Sequence, residues 1–375
     1  MTPVKNQERR IFKVIHILPE LSEGGVERHV TELANELHAQ GHDVMVVSAG
    51  GGLVRELKTQ HIQMPVHRKS IGRGLSCAER LASIARRGNV DLFHVHSRVP
   101  AWIAYFARML SSVPFVVTAH ARYSLNLGLW PLSRSDGAIC VSQTVREHLS
   151  DWLPGNRVRV IYNAAPSSEN IIPWRGGNKP KRLLYLGRLS RKKGVDVLLE
   201  ALSSIEKSGI GSEDRSDERA WSLDVVGDGP ASAELRDRAE KLFSGFSGFP
   251  GGRKRVLFHG HSDSPGDWIA QSDLFLFSSF DEGMPLSLLE ALRAGIPILA
   301  SDIPAVRELF RGDAGTHANL VTAGDIDAWA RAIGGFLKGE TLPRLSPAIV
   351  LPTINELARE VLQFYEDVLS KSAFL

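Results

Sequence analysis

Cysteine is almost absent from this sequence: Cys77 and Cys140 are the only two, and neither has a partner at metal-ligand spacing. A disulfide framework is therefore excluded, and a reducing cytoplasm is the expected compartment. No apolar run reaches about eighteen residues, so no transmembrane helix is expected. Met1 to Arg10 is polar and charged, unlike a secretory signal. The chain is expected to be cytoplasmic, at most resting on the inner face of the cytoplasmic membrane. G-x-G-x-x-G is missing, and so is the Gly-Lys-Ser/Thr ending of a P-loop, so neither a dinucleotide fold nor a P-loop NTPase is indicated. Net charge is only +3. No element interleaves basic and aromatic residues, which argues against nucleic acid as a partner.

What is present is a globular composition, 43% hydrophobic and 23% charged, spread over more residues than one core usually serves. Short β-branched runs alternate with amphipathic stretches: Lys13–Leu18, Val26–Ala39, Asp43–Ala49, Leu75–Arg87, Asp91–Ser97, Ala101–Leu110, Pro114–His120, Ala138–Ser142, Thr144–Asp151 and Val158–Asn163. Strand and helix in this rhythm build a parallel sheet covered on both faces. Residues 164–180, with two prolines around Trp-Arg-Gly-Gly, break the rhythm and suit a linker. It restarts at Arg182–Leu186 and runs to a closing helix, Ile354–Leu369. Ser208–Ala220 and Ser244–Gly252 read as surface insertions. The expected division is an N-terminal Rossmann-like domain (1–172), a C-terminal one (173–352), and a last helix (353–375) crossing back to the first.

Open α/β sheets bind ligands beyond the carboxyl ends of their strands, and three segments sit there. Phe280-Asp-Glu-Gly-Met-Pro-Leu-Ser-Leu-Leu-Glu290 follows a strand and opens a helix. Its carboxylates, Glu282 just before the helix and Glu290 about two turns in, suit opposite ends of one polyhydroxylated ligand. A bland alternative makes Glu282 a cap and Glu290 a solvated residue. In Gly187-Arg-Leu-Ser-Arg-Lys-Lys-Gly194, Arg188 and Lys193 lie beside a helix N-terminus, an arrangement suited to phosphate but also common in solvated turns. Gly24-Gly25 allows close backbone approach at another helix start, a weak signal alone.

With Asp91-Leu-Phe-His-Val-His-Ser97, Thr118-Ala-His120, Cys140-Val-Ser142, Val160-Ile-Tyr-Asn163, Val226-Gly-Asp-Gly-Pro230 and Phe258-His-Gly260, these segments resemble family 4 of the retaining glycosyltransferases, over nearly the whole chain and in order. The resemblance implies the GT-B fold: two doubly wound, Rossmann-like α/β domains facing a central cleft. It implies metal-independent transfer of a hexose-type sugar from a UDP- or GDP-linked donor to a glycan or lipid-linked glycan, as in bacterial envelope, lipopolysaccharide or exopolysaccharide synthesis. No cofactor is implied. Arg188 and Lys193 would neutralise the leaving diphosphate, with the amides of Gly24 and Gly25 approaching it. Glu290 would accept the ribose hydroxyls, and Glu282 with Gly283, Met284, Pro285 and Leu286 would hold the sugar. Gly227, His259, Gly260 and His261 would border the base. His120 would meet the sugar near C6 on the catalytic face, while Ser97, Arg98, Arg122 and Tyr123 would lie on the acceptor side. Where the family commonly has Gly-hydrophobic-Asp after Asn163, Ala164-Ala-Pro166 stands instead, which weakens inference about the hinge.

Rival readings remain. A nucleotide-sugar epimerase or a phosphorylase shares the architecture, though no local context suggests a pyridoxal-phosphate lysine. A catalytically silent sugar-nucleotide-binding subunit would not need the intact Arg188, Lys193, Glu282 and Glu290 set. His94 and His96 share a strand face and could bind a metal with His120. Asp325-Ile-Asp327 looks like a metal motif but reads better as a helix N-cap. Residues 1–172 carry 20 basic against 14 acidic side chains. Arg68, Lys69, Arg73, Arg80, Arg86 and Arg87 flank a stripe of Cys77, Leu81 and Ile84, so this stretch either rests on an anionic membrane or packs against its own sheet.

Overall fold

The computed structural model describes residues 10–22, 24–68, 70–165, 172–177, 181–208, 221–244, 255–310, 319–343, 347 and 349–372. Both expected insertions, much of the linker, Glu23 and Lys69 lie largely or wholly outside them. The chain divides into two units, one of residues 1–162 with 354–375 and one of residues 163–353.

In the first unit the strands are β1 (Lys13–Ile17), β2 (Asp43–Ser48), β3 (Gln60–Gln63), β4 (Leu92–Val95), β5 (Phe115–Ala119), β6 (Gly137–Cys140) and β7 (Val158–Val160). They form one parallel sheet in the order β3-β2-β1-β4-β5-β6-β7. The helices are α1 (Gly25–Ala39), α2 (Ile71–Gly88), α3 (Arg98–Ser111), α4 (Trp130–Ser133) and α5 (Gln143–His148). β4, β5 and β6 are buried throughout, which is why they are mostly apolar rather than alternating; the one polar residue in each of β4 and β5, His94 and Thr118, bonds to the other. β3, by contrast, is a polar edge strand (Gln-His-Ile-Gln) with no periodic signal.

The second unit repeats the plan. β8 (Lys181–Leu186), β9 (Trp221–Val226), β10 (Val256–Gly260), β11 (Leu274–Phe277), β12 (Ile298–Ser301) and β13 (Leu320–Val321) order as β10-β9-β8-β11-β12-β13. The helices are α6 (Val195–Lys207), α7 (Ser232–Phe243), α8 (Pro265–Gln271), α9 (Leu286–Ala294), α10 (Pro304–Leu309) and α11 (Ile326–Leu337). Val195, Leu198, Leu199, Leu202 and Ile205 of α6 are buried in a core shared with Trp221 and Trp329. At about 1.5–3 kcal/mol for each such side chain, this face is what fixes the helix. α8 and α10 are short and start on a proline, a residue more often read as a loop. Asp325 caps α11 by accepting from the amide of Ala328, which removes it as a metal-motif candidate.

The last helix, α12 (Ile354–Ser372), belongs to the first unit. Its buried face carries Leu357, Ala358, Val361, Phe364, Tyr365 and Val368. Gly137 on β6 accommodates it, because a Cβ there would lie 2.7 Å from the Phe364 ring.

Candidate functional site

Strand order reverses between β1 and β4 in the first unit and between β8 and β11 in the second, and such switch points are where doubly wound sheets take ligands. Most of the expected site residues map to the two reversals.

At the second, β8 leads into Gly187 and a single turn, Arg191–Lys193, before α6. Gly194 ends the turn in the left-handed region, and a Cβ there would sit 2.3 Å from the carbonyl oxygen of Ser278. That contact is part of a seam. The amide of Phe280 donates to Lys192 at 2.9 Å, and the Ser278 hydroxyl donates to the Lys193 carbonyl at 2.8 Å. The seam fixes the basic loop against the acidic block, and Lys193 forms an ion pair with Glu282, whose side chain is 14% exposed. Tyr185 lies beneath, its hydroxyl donating to the carbonyl of Arg188. Burial, reinforced by the Glu282 charge, pushes the Tyr185 phenol well up.

Met284 is buried, and its carbonyl accepts from the Asn163 side chain at 3.1 Å. α9 opens at Leu286 with Pro285 as its N-cap and no side-chain cap, so its first amides are available to an anion or hydroxyl. Glu282 is therefore not the cap of this helix. Glu290 is only four residues past the helix start, about 6 Å along it, a little over one turn rather than two. Ser279 is a residue the sequence does not single out. Its hydroxyl is buried beside this block and has no hydrogen-bond partner among the described residues.

Three glycine turns close the same edge. Gly227 has φ +135°, and a Cβ there would lie 2.0 Å from the Gly187 carbonyl oxygen, so no other residue fits. The Gly227 amide donates to Gly260 at 2.7 Å. His259 is held by Asp224 at 2.7 Å and by the Trp268 ring. His261 is exposed and contacts Asp263 at 3.2 Å.

In the first unit, Gly24 caps α1 and Gly25 begins it. Beside them runs a second turn, where Gly51 (φ +142°) packs within 2.2 Å of the Leu21 backbone, measured from the Cβ it lacks. After β4, Ser97 takes φ +142°, a conformation costing a non-glycine residue about 1–3 kcal/mol. Arg98 lies over the Tyr123 ring at 5.3 Å, and the Tyr123 hydroxyl accepts from the His120 amide at 3.4 Å. Arg122 is in the same turn after β5. Ser97, Arg98, Tyr123 and His120 thus form one cluster around the ends of β4 and β5.

The histidines differ from expectation. His94 is occupied on both nitrogens, by Tyr365 and by Thr118, each at 2.6 Å, which takes it out of a metal set with His96 and His120. His16 and His29, unnoticed in the sequence, come in instead: one nitrogen of His29 lies near those of His96 and His120, and one of His16 near those of His94 and His96. The basic stretch differs too. Cys77 and Leu81 are buried as α2 packs along α3, so the stripe serves the unit's own interior and leaves Ile71 and Leu75 as its exposed apolar residues. No helix among the described residues is long and apolar enough to cross a membrane.

Residues 23–169 match the family described as Glycosyltransferase Family 4, and residues 180–338 match Glycosyl transferases group 1. The chain is 25% identical over 347 residues to N-acetyl-alpha-D-glucosaminyl L-malate synthase of Bacillus anthracis, covering 84% of each chain. It is 26% identical over 380 residues to a phosphatidyl-myo-inositol mannosyltransferase of Mycobacterium leprae, covering 92% of this chain and 93% of that one. Among solved structures, Anabaena HepE in complex with UDP-glucose superposes with a TM-score of 0.71 at 16% identity, over 97% of this chain and 100% of that one. Two parallel α/β units with matched strand order, each carrying its own part of the family pattern, lead to one conclusion: the chain belongs to the family 4 glycosyltransferases and has the GT-B fold.

Proposed function

We propose that the protein transfers a hexose-type sugar, with retention and without a metal, from a UDP- or GDP-linked donor to a glycan or lipid-linked acceptor of the bacterial envelope. The observation that carries this reading is the Lys193–Glu282 ion pair at the second switch point, beside an uncapped helix N-terminus. Without ligand the two charges satisfy each other. A bound donor replaces that pairing: Lys193, with Arg188, turns to the diphosphate, while Glu282 accepts a sugar hydroxyl. Glu290 takes the ribose, and the amides opening α9 take the remaining sugar oxygens.

Catalysis is then positioning plus stabilisation of charge on the leaving diphosphate, which helps deprotonate the incoming hydroxyl. Two cations and the helix N-terminus supply what a metal supplies elsewhere. UDP-glucose in the Anabaena neighbour and lipid-linked inositol in the name of the mycobacterial relative support the donor and acceptor classes. The acceptor side is assigned to Ser97, Arg98, Arg122 and Tyr123, with His120 on the catalytic face. A peripheral membrane contact is assigned to the start of α2, where Ile71 is 87% exposed and Arg68, Arg73 and Arg80 are exposed nearby.

The test is a thermal-shift screen of nucleotide sugars, followed by slow hydrolysis of the best binder by pure protein. Binding with hydrolysis is expected. Binding without turnover, with or without added acceptor lipid extract, would point to the silent-subunit reading instead.

A further inference from the structure

Five histidines, His16, His29, His94, His96 and His120, are buried together in the first unit, at the carboxyl ends of β1, β4 and β5 and on α1. Their wiring is uneven. His96 contacts His120 through Nδ1 and His16 through Nε2, both at 3.0 Å. His94 is spent on Tyr365 and Thr118. His29 has no hydrogen bond among the described residues, although its ring centre lies 5.0 Å from that of His120. One nitrogen each from His29, His96 and His120 falls within 4.8 Å of the others.

We infer that His29, His96 and His120 form a three-imidazole site for a transition-metal ion of the Zn²⁺ class, with His16 as the outer partner of His96. Tetrahedral zinc at about 2.0–2.1 Å from each nitrogen holds its ligand nitrogens about 3.3 Å apart. The His96–His120 pair needs to open by only a few tenths of an ångström. His29 must close by at most about 1.5 Å, and it has no hydrogen bond to surrender.

Burial disfavours the charged form of all three imidazoles, and metal binding uses the neutral form. Ligation through Nδ1 leaves the Nε2–H of His96 to donate to His16, the outer-shell bond that ligating histidines commonly make. With no carboxylate in the set, Mg²⁺ and Ca²⁺ are disfavoured. His120 is 9% exposed, which gives an entry path and leaves the fourth position to water or a small anion. The site shares His120 with the catalytic face assigned above, but metal binding is read without turnover and so does not depend on the transferase reading.

The test uses the tag-free, full-length chain after treatment with chelator. Competition against a chromogenic zinc chelator should give one tight Zn²⁺ per chain, and Co²⁺ should give the intense visible bands of a four-coordinate site. His29→Gln should weaken Zn²⁺ at least about tenfold, while His61→Gln, on β3 outside the cluster, leaves it unchanged. The inference is overturned if the parent chain does not compete for Zn²⁺, or if a folded His29→Gln variant keeps the parent affinity. Should His29→Gln fail to fold, the cobalt spectrum of the parent decides alone, and a weak six-coordinate spectrum overturns the site.

Discussion

The Tyr365 hydroxyl lies 2.6 Å from Nδ1 of His94, joining the last helix to a central strand 271 positions earlier. Both groups are buried, and the Phe12 ring meets Tyr365 edge-on at 6.0 Å. Tyr365→Phe keeps the packing and orphans the imidazole nitrogen, so stability should fall by about 1–3 kcal/mol. Urea unfolding of the variant checks this; a midpoint equal to that of the parent would show that the bond contributes nothing.

At the donor site, Glu290→Ala and Lys193→Ala should each reduce nucleotide-sugar affinity about tenfold or more, since a charged hydrogen bond is worth about 1.5–3 kcal/mol. Lys193→Arg should keep most of it, because charge rather than shape is what the diphosphate reads there. Calorimetric titration of folded variants is the measurement, and unchanged affinity in the alanine variants would falsify the assignment.

Transfer should survive EDTA. If chelation abolishes it and Mg²⁺ or Mn²⁺ restores it, the two-cation account of the diphosphate is wrong. Recovery with Zn²⁺ alone would instead place the histidine trio in the chemistry.

The buried histidines make the first unit sensitive to acid. Burial holds His16 near 3 and His29 near 4, and depresses His94, His96 and His120, from an ordinary 6.5. The unfolded chain binds protons from pH 6.5 downward and the folded chain does not. Stability is therefore full above pH 6.5 and declines below it until the folded values are reached. By pH 5 His16 and His29 each contribute about 2 kcal/mol of loss, and His94, His96 and His120 act in the same direction. Thermal unfolding of chelator-treated protein between pH 7.5 and 5 should show the melting temperature dropping steeply below about 6. A flat profile over that range would show the imidazoles taking up protons in the fold as readily as in the unfolded chain.

For the membrane, cosedimentation should show binding to anionic vesicles that weakens with salt, at up to about 1 kcal/mol per basic residue. Removing Arg73, Arg80, Arg86 and Arg87 together should abolish it. Ile71→Ser should weaken it with little effect on stability, since that side chain is 87% exposed. Equal binding to neutral vesicles would defeat the contact.

Helix and strand alternation was legible because parallel strands buried on both faces are mostly apolar, as Phe115–Ala119 is apart from Thr118. β3 was not, because an edge strand of Gln, His, Ile and Gln carries no pattern. The Glu282 block was legible through its position between a strand and a helix. Its pairing with Lys193, 89 residues away, depends on the seam at Ser278 and Gly194, which sequence spacing does not contain. His94 and His96 were visible as neighbours on one strand. His16 was hidden because only the register that sets it opposite His94 brings it in, and His29 because a lone histidine on an amphipathic helix looks like any other core residue.

The first unit is discontinuous: its sheet is made from residues 13–160, while α12, which covers part of it, begins at residue 354. During synthesis the ribosome therefore releases the whole second unit before the first can be completed. The downstream unit, being contiguous, can reach its native state while the upstream one waits, reversing the usual order in which the earlier-made domain folds first. Until Tyr365 emerges, the α12-facing apolar surface and the Nδ1 side of the His94 imidazole lack the cover they have in the finished fold, leaving exposed apolar surface of the kind that aggregates.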